Sequence, residues 1–180
     1  SRLTPSRLSP SLKVWQVVRV REKKSLVYRH QGLDEHAALQ AQIDVAALTW
    51  EQCIAATVVH YINDVSGDMG NFVDGKFADL KNFTDLTKHW GEMKGFALGL
   101  QFSPESPFRK GDTGKSVTDL KLVLSLMGDG PVLPDGSQGG QATTAASAAD
   151  AVQSYLNDLL EARDILQEAY GFDPEVAAIW

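Results

Sequence analysis

DEHAALQAQIDVAALTWEQCIAATVVHYINDV, residues 34–65, holds neither proline nor glycine and is rich in Ala, with Gln, Leu and Glu also present. Leu39, Ile43, Ala46, Trp50, Cys53, Ala56/Thr57 and His60/Tyr61 recur in it at three-and-four spacing. That period predicts a long amphipathic helix with this mostly apolar set on one face. Leu33, Ala37, Gln40, Asp44, Ala47 and Glu51 fall on another face. Asp34 suits the N-cap, because its carboxylate can accept from the free N–H groups of a first turn. Ser66-Gly67-Asp68 and Gly70 mark the end, and the glycine-rich stretch after them reads as a loop.

Working towards the C-terminus, a helical period restarts at Phe77, Leu80, Phe83/Thr84, Thr87 and Trp90/Gly91, with a cap near Asp74 or Gly75. Met93, Phe96, Ala97 and Leu100 continue its apolar side. Gly91, Gly95 and Gly99 recur every fourth residue, a smooth stripe where a backbone could approach, at about 1 kcal/mol each against alanine. SPESPFRKGDTG reads as a loop. Ser116 to Asp119 resembles a capping box ahead of Leu120, Val123, Leu124 and Met127. GDGPVLPDGSQGGQ, from Gly128, reads as the clearest flexible segment. Ser147 to Asp150 repeats the capping signal and opens a helix over 148–170, with Val152, Tyr155, Leu156, Leu159, Leu160, Ile165 and Leu166 towards the core. Gly171 is a left-handed terminator, and Asp173-Pro174 starts a short last helix. The expectation is an all-α fold: a bundle of three to four main helices over residues 32–180.

Towards the N-terminus the character changes. Residues 1–30 carry eight basic groups against one acid, a net +7, which leaves −13 for the rest of a chain whose total is −6. Val14–Val20 and Leu26–Tyr28 are short β-branched and aromatic runs, so residues 1–31 are expected as a basic arm, extended or hairpin, although no Asn-Gly or Asp-Gly turn supports a hairpin and a helix stays open. Such an arm suits an anionic surface, or it lies on the acidic body or on another part of a longer protein. No RNP-like aromatic motif or zinc-finger spacing accompanies it, so nucleic acid is not an expected partner.

With 180 residues and 43% apolar content the chain is long enough to bury a core of its own. A single cysteine, Cys53, excludes an internal disulfide and a thiolate metal cluster. No apolar run reaches the roughly 18 residues that a transmembrane helix requires.

The chemistry-bearing candidates are few. Gly111-Asp-Thr-Gly-Lys115-Ser116 resembles the end of a phosphate-binding loop, but Arg109 stands where that loop needs its first glycine, so a turn into a capped helix is the simpler reading. Asp64, Ser66, Asp68, Asn71 and Asp74 offer oxygens without the one-three-five spacing of a calcium loop. His89 and Glu92 sit three apart on one helix face, where imidazole and carboxylate could meet a divalent metal, with His60 and Glu51 as further donors if the two helices pack antiparallel. The simpler reading makes His89 a boundary histidine. Cys53 has no base signalled beside it, and no nucleophile elbow occurs, so catalysis is not supported.

Three segments carry a family resemblance: residues 32–64, residues 77–108 and residues 159–180. KHWGEMKGFALGLQFSP (Lys88–Pro104) and AYGFDP (Ala169–Pro174) match best. They resemble the C-terminal half of domain-of-unknown-function family 4856, secreted or lipid-anchored proteins of the bacterial envelope. The resemblance implies a helical fold and a periplasmic or cell-surface location, and it supplies no activity. More distantly the chain is similar to imelysin-like helical proteins, whose G-x-H-x-x-E motif is matched at His89 and Glu92, with Thr87 in place of the glycine. The combined expectation is a non-enzymatic helical binding or interaction protein without a resident cofactor. Its partner is another protein, the remainder of a longer chain or a second copy. The alternative is a metal-binding protein, handling iron or zinc, that uses His89, Glu92 and His60.

Overall fold

A computed structural model describes residues 10–72 and 79–180, with side chains from Asp34 onward. Among these residues the fold is all-α: six helices and no strand. They are α1 (Pro10–Met69), α2 (Leu80–Gly99), α3 (Pro107–Lys110), α4 (Val117–Leu126), α5 (Ala148–Tyr170) and α6 (Pro174–Ala177). None is long and apolar enough to cross a membrane. The chain divides into two units, residues 1–46 and 47–180.

In the first unit the described residues are helical throughout. The segment expected as an extended or hairpin arm is part of α1 from Pro10 on, and proline fits a first helical turn because its missing N–H would have had no partner there. Asp34 is therefore inside a helix and caps nothing. Gly32 does not interrupt α1, and a Cβ there would meet nothing within 4 Å. No side chain from Asp34 to Ala46 is buried, and Leu39 and Ile43 are 59% and 51% exposed.

In the second unit α1 continues to Met69, past Ser66, whose hydroxyl donates to the Ile62 carbonyl at 2.8 Å. Here the expected apolar face is corrected. Trp50 is 72% exposed and Cys53 and His60 are exposed, whereas Glu51, Ala55, Val58, Val59, Ile62, Val65 and Met69 are buried. The buried set also recurs at three-and-four spacing, on the opposite side of the helix. Most of its side chains are small or β-branched, which suits a closely packed face, whereas the Trp50 side chain is large.

The remaining helices begin and end where local chemistry says they should. Asp79 caps α2, accepting from the Lys81 N–H at 2.9 Å; the caps expected at Asp74 or Gly75, and Phe77, lie outside the described residues. Ser116 and Asp119 form a full capping box on α4, and Ser147 caps α5 by accepting from the Asp150 N–H at 3.1 Å. Gly111 (φ 74°) ends α3 and Gly171 (φ 69°) ends α5 in the left-handed conformation, so the phosphate-loop lookalike is a turn between two capped helices. One core joins Val58, Ile62, Leu86, Met93, Leu120, Val123, Leu159 and Leu166.

Candidate functional site

His60, His89 and Glu92 come together around one side chain, Tyr61. The Tyr61 ring lies 5.1 Å from the His60 ring, 5.9 Å from His89 and 6.1 Å from Phe96, the last two stacked. The Glu92 carboxylate near its hydroxyl, and with it some burial, raises the phenol above its ordinary value. His89 Nδ1 lies 2.7 Å from Asp68 Oδ2, and His60 Nε2 lies 3.2 Å from Asp64 Oδ2. Glu92 Oε2 is buried without a hydrogen-bond partner, with the Lys88 ammonium 3.9 Å away. Among the described residues no three His, Cys, Asp or Glu side chains converge as a metal group would require. Each imidazole instead faces one carboxylate. The His89–Asp68 pair ties α2 to the end of α1. Asp68, expected beyond the end of the helix, is helical like Asp64.

A second concentration of polar groups lies over the start of α5. Its anchor is a network that no spacing in the sequence announces. Trp90 Nε1 donates to the Met127 carbonyl at 3.1 Å and to the Tyr155 hydroxyl at 3.0 Å. The Tyr155 hydroxyl in turn donates to Met127 at 2.9 Å. Burial pushes the Tyr155 phenol well above its ordinary value. The Lys94 ammonium donates to the carbonyls of Leu124 (2.5 Å) and Gly128 (2.7 Å), a positive charge on the open carbonyls that end α4. Burial lowers the Lys94 pKa, and the Asp129 carboxylate partly offsets that.

From this anchor the glycine-rich segment, read from sequence as flexible, folds back under its own hydrogen bonds. Ser137 N–H donates to Asp135 Oδ1 at 2.9 Å, Leu133 N–H to the Ser137 carbonyl at 2.9 Å, and Gln138 Nε2 to the Gly130 carbonyl at 3.0 Å. Gly136 (φ 79°) packs so closely on α5 that a Cβ would stand 3.0 Å from Ala148 Cα. Between this loop and α5 is a cavity of about 480 Å³. Asp129, Gln138, Gln141 and Thr143 line it from the loop, and Ser154, Tyr155 and Asp158 from α5. Burial first, and Glu161 second, raise the Asp158 pKa. The lining holds no histidine, cysteine, lysine or arginine. Lys94, outside the lining, donates to the Gly128 carbonyl and interacts with the Asp129 carboxylate, so a ligand bringing N–H or O–H donors would chiefly satisfy the acceptors on the α5 side.

Glu51, expected off the apolar face and as a further donor beside His60, is on the buried side of α1. Glu51 is 2% exposed, and Tyr170 donates to its Oε1 at 2.6 Å while Oε2 has no partner. Burial and that bond both raise the Tyr170 phenol. No family model, no curated protein and no solved structure matches this chain.

Proposed function

We propose that the protein is a non-enzymatic helical binding protein of the bacterial envelope that holds a small, donor-rich molecule in the cavity over α5. One observation carries this reading: Asp129, Gln138, Gln141 and Asp158 line a cavity of about 480 Å³ with no cationic residue in its lining. Small-molecule sites commonly have that size and a few convergent polar groups. Two carboxylates favour an amine or a polyhydroxyl compound and disfavour an anion. The envelope location rests on the family resemblance of Lys88–Pro104 and Ala169–Pro174.

Thermal-shift titration with sugars, amines and inorganic phosphate tests the binding reading. Sugars or amines should stabilise the chain and phosphate should not. Asp158→Asn should weaken binding roughly tenfold or more, the worth of one hydrogen bond to a charged group. Equal response to phosphate, or an Asp158→Asn variant that binds as well as the parent, would count against it. The metal alternative has in its favour a buried Glu92 Oε2 that accepts no hydrogen bond, although Lys88 stands 3.9 Å from it. Metal analysis of the purified chain and of His89→Ala separates the two: bound metal that His89→Ala abolishes supports the alternative.

A further inference from the structure

The cavity over α5 lies wholly within the second unit, and its hydrogen-bonding groups discriminate between kinds of donor-rich ligand. Two neutral donors of the lining are committed inside the fold. The Tyr155 hydroxyl donates to the Met127 carbonyl at 2.9 Å, and Gln138 Nε2 donates to the Gly130 carbonyl at 3.0 Å. The hydroxyls of Ser154 and Thr143 accept as readily as they donate, and a carboxylate only accepts. Asp158, one turn beyond Ser154 on α5, is half-buried, and no ion pair among the described residues holds it. The charge that acts on it is a second carboxylate, Glu161, three residues further along α5. On the loop side Asp129 already has the Lys94 charge near it. Negative charge that the protein does not balance is therefore concentrated on the α5 wall.

We propose that the ligand of this cavity is an organic ammonium without an acidic group, held by the Asp158 carboxylate. The proposal rests on the binding reading above and narrows its choice between amines and polyhydroxyl compounds. An ammonium brings three N–H donors, no acceptor and the positive charge that Asp158 lacks. Hydrogen bonds between ionised partners are roughly twice as strong as those between neutral ones. A sugar hydroxyl brings an acceptor with every donor, and the lining has two of its own donors already spent. Tyr155, the aromatic residue of the lining, is buried, so it offers no open ring face to the apolar side of a sugar. A carboxylate on the ligand would meet Asp129 and Asp158 with no cation in the lining to receive it. Val132, Ala142, Ala145 and Ala151 supply an apolar part of the wall for the carbon body of the amine.

Isothermal titration of the whole chain near neutral pH tests this with three probes. They are n-butylamine, γ-aminobutyrate, which carries an ammonium and a carboxylate on a similar carbon chain, and glucose. Butylamine should bind, more weakly as salt is added, γ-aminobutyrate should bind roughly tenfold more weakly or worse, and glucose should not bind. Asp158→Asn should weaken butylamine roughly tenfold or more. Its melting midpoint should be held or raised, because the change removes one of two neighbouring carboxylates from a half-buried position. Glucose binding without butylamine overturns the ammonium and leaves the cavity as a binding site. Silence of all three probes overturns the ammonium and the binding reading together. Equal affinity for butylamine and γ-aminobutyrate, or butylamine binding untouched by Asp158→Asn, also overturns the proposal.

Discussion

Ala55, Val58, Val59, Ile62 and Val65 of α1 have no exposed surface, whereas Trp50 and Cys53, on the opposite side of the same helix, stand in solvent. Both sets follow three-and-four spacing, and the exposed one carries the largest single side chain, Trp50. The difference lies in shape. Short and β-branched side chains leave little height above the helix backbone, which favours close packing over that face. The Trp50 side chain stands higher. A period identifies a packing face; the height of its side chains decides whether the rest of the chain can cover it.

Substitutions sort the two faces by size of effect. Leu159 is fully buried on α5 in the cluster that holds the inward side of α1, so Leu159→Ala should cost about 2–5 kcal/mol in urea unfolding. A cost below about 1 kcal/mol would mean that this core is loosely packed. Alkaline titration probes the same interior. Tyr155 and Tyr170 are raised chiefly by burial, so their neutral forms add stability that is fully present below the unfolded value near 10 and lost as pH rises past it. Phenolate absorbance should report two of the four tyrosines ionising only as the helices melt. Complete ionisation with helicity intact would place their hydroxyls in water.

Smaller effects mark the ends of the elements. Trp90→Phe removes the donor to Met127 and Tyr155 and should cost about 1–2 kcal/mol. It should also weaken any ligand of the loop cavity, and loss of stability with binding intact would separate the anchor from the site. Ser147→Ala deletes the α5 cap at about 1 kcal/mol, read as a lower melting midpoint.

Much of the fold was legible. Ser116–Asp119, Ser147–Asp150, Gly171 and Asp173-Pro174 marked helix ends because capping is local chemistry, settled within three or four residues. The start of α1 was not, because Gly32 and a β-branched segment weigh against helix locally. The four-residue α3 was hidden in a Pro- and Gly-rich stretch. Of the candidate site, spacing placed His89 and Glu92 on one face. It could not supply Asp68, 21 residues before His89, or Tyr61 as the hub. The cavity was read as flexible loop because its fastenings run between distant positions: Trp90 and Lys94 on α2, Tyr155 on α5.

The two faces of α1 are compared most directly by equilibrium unfolding of Ile62→Ala and Trp50→Ala. Ile62, fully buried, should cost about 2–5 kcal/mol. Trp50, 72% exposed, should change stability by less than about 0.5 kcal/mol. A Trp50→Ala loss as large as that of Ile62→Ala would contradict the assignment and return Trp50 to the core.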